Sequence, residues 1–261
     1  MTTGDFVVID DVCVRFGDDA NPVQALDHAS LAFERGDFIC IVGPSGCGKT
    51  TLLQTVAGFL KPSSGTVSVG GALVNGPSPD RGVVFQQPAL FPWMSVAANA
   101  GFGPMVRGVA QSARAGKVEE WLKLVGLWDF RNRYPYELSG GMQQRLAIVR
   151  ALCNDPKLLL MDEPFGALDA LTREKMQEEL HAVWRRGDMT VVFITHSVEE
   201  AVYLGTTVVV MSPRPGRIIE RIACPFARQQ GERDIRAIKS SPDFVTMREK
   251  ILSMIWQMPS V

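Results

Sequence analysis

Residues 38–58 constrain the fold of this chain more than any other part of its sequence. Phe38–Val42 is a short run of apolar and β-branched residues, which is typical of a strand buried on both faces of a sheet. It leads into the glycine-rich loop at residues 43–51, after which apolar residues recur at helical spacing until Gly58. A strand, a glycine-rich loop and a helix in this order predict a βα unit of a parallel α/β sheet.

The loop contains the residue types that hold phosphate groups. Glycines allow backbone N–H groups to turn toward an anion, and the following helix directs its positive end at the same charge. Lys49 can reach terminal phosphates, and the hydroxyl of Thr50 can ligate Mg²⁺. A glycine-rich turn without a ligand is the alternative, but the flanking strand and helix favour the phosphate loop. Cys47, inside the loop, is interpreted as a spacer that is sensitive to alkylation, and not as a nucleophile.

A second apolar run ends in two acidic residues. Residues 158–161 read Leu-Leu-Leu-Met and are followed by Asp162 and Glu163. The carboxyl edge of a parallel sheet is where such folds bind ligands. Asp162 is suited to hold Mg²⁺, directly or through water, and Glu163 to orient and deprotonate an attacking water. Without a phosphate loop in the same chain, the start of a solvated turn would explain the two acids better.

A second glycine-containing helix start precedes the acidic strand. Ser139 has the character of an N-cap, and Gly140 and Gly141 expose the backbone at the beginning of a helical pattern. Such a helix start is a second anion-binding site. Taken alone, a serine followed by two glycines is common loop chemistry, so this motif gains its meaning from the other two.

Together, the phosphate loop, the Ser139 turn and the acidic strand resemble the ABC ATPase family, over nearly the whole chain. Further marks follow in the family's order: Phe16, Gln86, Asp169 and His196. The resemblance implies an α/β fold of the P-loop NTPase type, with a RecA-like core, an antiparallel β-subdomain and an inserted helical subdomain. It also implies ATP and Mg²⁺ as cofactors, and ATP hydrolysis as the activity.

In this family, two cassettes dimerise head to tail, and each ATP lies between the phosphate loop of one copy and the signature motif of the other. The resemblance therefore implies a homodimer. It implies nucleotide contacts from Phe16, Gly43, Pro44, Ser45, Gly46, Cys47, Gly48, Lys49, Thr50, Thr51, Ser139, Gly140, Gly141, Gln143 and Asp169. Metal contacts are implied for Thr50, Gln86 and Asp162, and catalytic roles for Gln86, Lys49, Glu163 and His196.

Some of these assignments have ordinary alternatives. An aromatic residue such as Phe16 also suits a core position instead of stacking on adenine. A histidine after a strand, such as His196, is also common as a capping or surface residue. Gly166 stands where many family members carry serine, which leaves open the hydrogen bond that Asp169 makes across the dimer interface.

Composition limits the partners of the chain. Its 27 basic and 28 acidic residues give a net charge of −1, so no global positive field would gather nucleic acid. No apolar run approaches the roughly 18 residues of a membrane span, and the acidic N-terminal stretch does not resemble a secretory signal. The five scattered cysteines suggest reduced thiols instead of a disulfide framework or a zinc site. We expect any action at a membrane to pass through a partner.

The domain organisation follows from the resemblance and the local patterns. We expect an ABC ATPase domain at residues 1–225, with a helical subdomain at about 87–155, and a C-terminal helical extension at 226–261. Ser241, Pro242 and Asp243 predict the start of a terminal helix, with Ser241 as its N-cap. One apolar face of that helix is expected to pack on the domain, with binding of a partner as the alternative. In the proline-rich loop at 87–94, Phe91 and Trp93 are candidates for docking a membrane subunit, with packing inside the subdomain as the alternative.

Short segments outside the nucleotide motifs indicate the type of transporter. Residues 81–86, 91–93, 165–169 and 212–218 resemble the nitrate, sulfonate and taurine importer group, and the C-terminal region most resembles taurine importer subunits. This implies a transmembrane permease dimer as partner, a substrate-binding protein as an indirect one, and a peripheral location at the cytoplasmic face of the inner membrane. Import of nitrate, aliphatic sulfonates or a thiamine precursor, and a non-transport role in DNA maintenance, remain alternatives.

Overall fold

Contacts between residues divide the chain into two units. The first unit comprises Met1–Ser78 together with Asp188–Val261, and the second comprises Pro79–Gly187. The computed structural model describes residues 4–18, 21–187, 189–229 and 235–258. The C-terminal residues thus belong to the same unit as the phosphate loop. The family-based domain boundary at residue 225 stays a prediction.

An antiparallel sheet of four strands forms one part of the first unit. Its strands are β1 (Asp5–Phe16), β2 (Val23–Glu34), β4 (Ser64–Val69) and β5 (Ala72–Leu73). They are arranged in the order β2-β1-β4-β5, with antiparallel pairing throughout. The β-branched residues Val7, Val12 and Val14 of β1 are fully buried, so apolar packing anchors this strand.

The strand that carries the phosphate loop belongs to a second group of strands in this unit. These are β3 (Phe38–Val42), β8 (Thr190–Ile194), β9 (Thr207–Met211) and β10 (Ile218–Ala223). β3 pairs in parallel with β8 and β9, and β10 pairs with β9 in antiparallel. Every residue of β3 and β8 is buried. The predicted burial of β3 on both faces is therefore confirmed.

The helices of the first unit include the predicted terminal helix. They are α1 (Lys49–Ala57), α7 (Val198–Leu204), α8 (Phe226–Gln229), α9 (Ile235–Lys239) and α10 (Pro242–Trp256). Helix α10 packs against α7 and buries Phe244 and Ile251, so the packing predicted for this helix is confirmed. The predicted helix start is confirmed, because Ser241 is the N-cap residue, Pro242 opens the helix and Asp243 lies in its first turn. The Ser241 hydroxyl donates to the carbonyl oxygen of Ile238 at 2.8 Å and caps no N–H of α10.

The second unit combines two parallel strands with a group of helices. The strands are β6 (Arg81–Val84) and β7 (Leu158–Asp162), which pair directly. The helices are α2 (Val96–Ala100), α3 (Phe102–Val106), α4 (Gln111–Leu124), α5 (Gly140–Leu152) and α6 (Ala170–Arg186). Helices α2, α4 and α5 pack against one another, within the stretch expected to be helical. Among the residues that the structure describes, no helix has both the length and the apolar character needed to cross a membrane.

Candidate functional site

Close contacts within the first unit shape the phosphate loop. β3 ends at Val42 and α1 begins at Lys49, with Gly48 at the N-cap position and a left-handed φ of 100°. A Cβ on Gly48 would lie 2.7 Å from the carbonyl oxygen of Ala25, and a Cβ on Gly43 would lie 2.8 Å from a backbone oxygen of β9. Both distances are too short for any side chain, so the conformation of the loop alone requires glycine at these positions.

Lys49 folds back over the loop that precedes it. Its side chain is buried, and Nζ donates to the carbonyl oxygens of Gly43 and Pro44, both at 2.9 Å. The start of α1 carries no acidic residue in its first turn, so nothing there neutralises the positive end of the helix dipole. The ammonium group and the helix start together favour a bound anion, as the sequence predicts.

Cys47 has a buried side chain. It is 1% exposed, and its Sγ lies 3.7 Å from Lys49 Nζ. All five cysteines of the chain are buried and free. A thiol in this position is shielded from reagents in solution. The burial agrees with the interpretation of Cys47 as a spacer and argues against its expected sensitivity to alkylation.

The segment at residues 212–218, which is distant in sequence, also contacts the phosphate loop. Arg214 Nε donates to the carbonyl oxygen of Gly46 at 3.4 Å, and the backbone N–H of Gly216 donates to Ala25 at 2.9 Å. A Cβ on Gly216 would lie only 2.0 Å from the carbonyl oxygen of Cys47. In the sequence, this segment is recognisable only by its resemblance to the importer group. Its contact with the loop was missed because no local pattern connects residues 168 positions apart.

Two further predicted residues of the first unit have exposed side chains. Phe16, at the end of β1, is 43% exposed, which excludes the alternative that this ring fills the core. His196 follows β8 and is also exposed. The neighbours of His196 are tightly held, because Thr195 Oγ1 donates to Glu200 Oε2 at 2.5 Å and accepts from the backbone N–H of Ser197 at 3.0 Å.

In the second unit, the acidic residues lie at the end of β7, as predicted. Asp162 is the last residue of the strand and is buried. Glu163 follows with a left-handed φ of 48°, which is unusual for a side chain larger than glycine and is found preferentially at functional sites. Gln86 Nε2 donates to Glu163 Oε2 at 3.1 Å, so the structure brings these two predicted catalytic residues together. The Gln86 amide thereby orients the carboxylate.

The Ser139 turn begins α5 as the sequence predicts. Ser139 Oγ accepts from the backbone N–H of Met142 at 3.3 Å, which confirms its N-cap role. Gln143 donates from its side-chain amide to the carbonyl oxygens of Pro135 and Leu138, at 2.9 and 3.3 Å. The side-chain amide of Gln143 therefore fixes the backbone of residues 135–138, which lead into the Ser139 turn.

Asp169 has a local role within the second unit. Its carboxylate accepts from the backbone N–H of Thr172 at 3.0 Å and caps α6. The hydrogen bonds from Thr172 lower the pKa of Asp169 below its ordinary value, so the residue is negatively charged at neutral pH. The contact that the resemblance implies for Asp169, across a dimer interface, stays a prediction.

Two residues that the sequence analysis missed as functional residues organise the proline-rich loop at 87–94. Asn99 is fully buried, and its amide bonds both backbone groups of Phe91 and the carbonyl oxygen of Met94. Arg150 donates to the carbonyl oxygens of Pro88 and Ala89 and lies over the Phe91 ring. An asparagine inside an apolar helical stretch is the signal that could have identified the first of these.

Comparison with known proteins identifies the family. The ABC transporter family profile matches residues 26–166 of the chain, which is more than half of its length. The chain belongs to the ABC transporter family. The family resemblance and the fold class predicted from the sequence are thereby confirmed, and nucleotide binding follows from membership.

Curated members of the ABC transporter family match almost the whole chain. The taurine import ATP-binding protein TauB of Jannaschia sp. (strain CCS1) is 50% identical over 253 residues, which are 97% of this chain and 94% of that protein. The protein of the same name from Pelagibacter ubique is 52% identical over 236 residues, or 90% of this chain and 89% of the relative.

Solved ABC cassettes share the fold. The dimeric structure of MJ0796, a bacterial ABC transporter cassette, is 31% identical, with a TM-score of 0.76 over 83% of this chain and 98% of that one. A dimeric structure of MJ0796 in a post-hydrolysis state, bound to ADP and phosphate, gives a TM-score of 0.75 with the same coverage.

Proposed function

We propose that this protein is the ATP-hydrolysing subunit of an ABC importer and energises the uptake of taurine through a separate permease. The observation that carries the proposal is the match, at about half of all positions and over nearly the full length, to proteins named for taurine import. Hydrolytic competence is supported by Lys49, Glu163 and His196, all present in this chain at the family's positions.

The proposed reaction is the hydrolysis of ATP to ADP and phosphate. The backbone of the phosphate loop and Lys49 hold the β- and γ-phosphates, and His196 contacts the γ-phosphate. Glu163, oriented by Gln86, takes a proton from the attacking water as the new P–O bond forms and the bond to ADP breaks.

Mg²⁺ is the metal that fits the side chains assigned to it. Thr50 offers a hydroxyl oxygen, Asp162 a carboxylate and Gln86 an amide oxygen, which are hard ligands of the kind that Mg²⁺ prefers. Nitrogen and sulfur ligands that would favour zinc or copper are missing from this set. When bound, Mg²⁺ neutralises charge on the phosphate oxygens, while the protein residues position the phosphates and the water.

We further propose that two copies enclose each ATP, with the phosphate loop of one copy facing the Ser139 turn of the other. Backbone N–H groups at the exposed start of α5 favour the negative charge of the γ-phosphate. Loss of that charge after phosphate release weakens the interface. The solved cassettes of similar fold, which are dimers, support this arrangement.

A groove in the second unit is the proposed docking site for the permease. A cavity of about 320 Å³ is lined by Met94, Met105 and Val118, among others. Nearby, Trp93 and Val106 are 70% and 68% exposed, an unusual state for large apolar side chains. This surface suits a short amphipathic segment of a membrane subunit at the cytoplasmic face of the inner membrane. A substrate-binding protein would act indirectly, by delivering taurine to the permease.

Reconstitution tests the proposed function. We reconstitute the chain in lipid vesicles with its permease and the binding protein. The vesicles are expected to take up labelled taurine only when ATP is supplied on the side of the membrane that carries the ATPase. Nitrate, an aliphatic sulfonate and a thiamine precursor are the competing substrates. Uptake of one of these without taurine uptake would replace the substrate assignment, and co-purification with DNA instead of a permease would overturn the transporter assignment.

A further inference from the structure

We infer that the C-terminal helices α9 and α10 position His196 through their packing and ion pairs with α7, and that Lys239 is the principal positioning residue. The inference rests on the proposed function, in which His196 contacts the γ-phosphate. The C-terminal region thereby becomes part of the machinery that supports hydrolysis. All residues of the argument lie in the first unit.

His196 is fixed to the first turn of α7 by its two neighbours. Thr195 Oγ1 donates to Glu200 Oε2, and the backbone N–H of Ser197 donates to Thr195 Oγ1. Ser197 Oγ in turn accepts from the backbone N–H of Glu200 at 3.2 Å and caps the helix. Thr195 and Glu200 are both buried, so these hydrogen bonds are protected from water. The position of His196 therefore follows the position of the first turn of α7.

Helix α7 cannot hold this position by itself. It has seven residues, whereas isolated helices shorter than about 12–15 residues are marginal in water. It packs against the strands β3 and β9 and, from the C-terminal region, against α8, α9 and α10. The contact is apolar, with Ile238 and Phe244 buried and the rings of Phe226 and Phe244 5.1 Å apart. The C-terminal helices thus supply support that the length of α7 does not provide.

Charged groups from both helices meet at the start of α7. Lys239 Nζ of α9 lies 3.0 Å from Glu199 Oε1 and 5.2 Å from the centroid of the Tyr203 ring, one turn further along α7. Arg248 of α10 approaches the other oxygen of Glu199 at 3.7 Å. The side chain of Lys239 is only 15% exposed, so its contacts are less screened than those of an ordinary surface lysine. Glu199 is three residues from His196.

Loss of the contacts between the C-terminal helices and α7 is expected to affect turnover more than ATP binding. The phosphate loop, which is proposed to hold most of the triphosphate, is contacted by Arg214 at Gly46 and approached closely by Gly216 at Cys47, and neither residue belongs to α9. His196 would instead lose its orientation toward the reacting phosphate. A displacement of a positioned group by about 1 Å can reduce rate by up to about 100-fold.

The test compares two lysines that make the same kinds of contact, Lys239 with a side chain 15% exposed and Lys123 with one 57% exposed. Lys239→Met removes the contacts with Glu199 and Tyr203, whereas Lys123→Met removes contacts of the same kind with Glu119 at 2.6 Å and the Trp128 ring at 5.6 Å. In the complex with the permease, Lys239→Met is expected to lower kcat about 10-fold with little change in the KM for ATP. Lys239→Arg should restore most of the rate, and Lys123→Met should leave it unchanged.

A second background separates positioning from general damage. In a His196→Ala variant, the added Lys239→Met change is expected to cause no further loss of turnover, because the residue that it positions is absent. An equal fractional loss in both backgrounds, or no loss in either, would overturn the inference. Glu199→Gln, a milder change, is measured in the same way in case Lys239→Met lowers the thermal stability. Wild-type turnover in His196→Ala alone would instead overturn the proposed role of His196.

Discussion

The phosphate loop and the Ser139 turn both begin a helix with glycines, but the chain's own structure requires only the first set. A Cβ on Gly48 or Gly43 would collide with backbone oxygens. Among the residues that the structure describes, a Cβ on Gly140 would meet nothing within 4 Å, and one on Gly141 would meet only side-chain carbon closely, at 3.1 Å from Leu168. Neither Gly140 nor Gly141 has a left-handed φ.

The difference shows where the requirement for each glycine originates. Glycine in a helix is less favourable than alanine, so its presence at a position with free space is not explained by stability. At Gly48, the fold itself explains the residue. At Gly140, no contact among the described residues requires glycine. This agrees with the proposal that the Ser139 turn acts on ATP held by another copy.

The largest expected effect leaves both turns intact and removes only the proposed base. Glu163→Gln is expected to lower ATP turnover by about 10²–10⁴-fold, because the amide cannot accept the proton of the attacking water. ATP should still bind, and should now hold two copies together for long enough to isolate the dimer. Phosphate release and light scattering measure the two properties. A variant that turns over ATP at the wild-type rate would remove Glu163 as the base.

The next change obstructs the outer surface of the Ser139 turn. Gly140→Leu places a large side chain in free space, so the folded monomer should accept it, but a second copy could no longer approach closely. Turnover is expected to fall about 100-fold with loss of the ATP-dependent dimer. Gly116→Leu is the matched control, since a Cβ there also meets nothing within 4 Å. Wild-type dimerisation of Gly140→Leu would show that this surface faces no partner.

The sequence predicts those features that depend on local patterns. The strand β3 and the acids at the end of β7 follow from uninterrupted apolar runs, and the cap at Ser139 depends on a residue only three positions away. The order of these motifs is enough for the family and the fold class. The exposure of Phe16 needed the structure, because an aromatic at a strand end is compatible with either environment.

The missed features depend on contacts between distant residues or on competing hydrogen bonds. Arg150 reaches carbonyl oxygens about 60 positions away, and Arg214 reaches Gly46 across most of the chain. Ser241 occupies the N-cap position that the sequence predicts, but its hydroxyl donates a hydrogen bond to the carbonyl oxygen of Ile238 in α9 and accepts none from α10. A hydroxyl can donate or accept, and the sequence does not say which it will do.

A third prediction measures how strongly the fold requires glycine in the phosphate loop. Gly48→Ala combines a left-handed φ of 100° with a clash against the Ala25 carbonyl, and is expected to destabilise the protein without nucleotide by about 1–3 kcal/mol. Gly36→Ala is the control for φ alone, because Gly36 has a φ of 80° and free space around the Cβ position. Denaturant unfolding should show a smaller loss for Gly36→Ala. Equal losses would mean that the clash relaxes and that the loop is less constrained than its contacts indicate.

The smallest expected effect has the opposite sign for stability and for activity. Gly140→Ala should raise the free energy of unfolding by about 0.5 kcal/mol, since alanine is the better helix residue and the space is free. The same methyl group lies on the surface proposed to meet the partner's ATP, so turnover should fall even though the monomer is more stable. Gly116→Ala, in the interior of α4, should also gain stability, but with unchanged turnover. Should Gly140→Ala gain stability and keep full activity, the turn would be under no external constraint, and its glycines would need another explanation than a second copy of the chain.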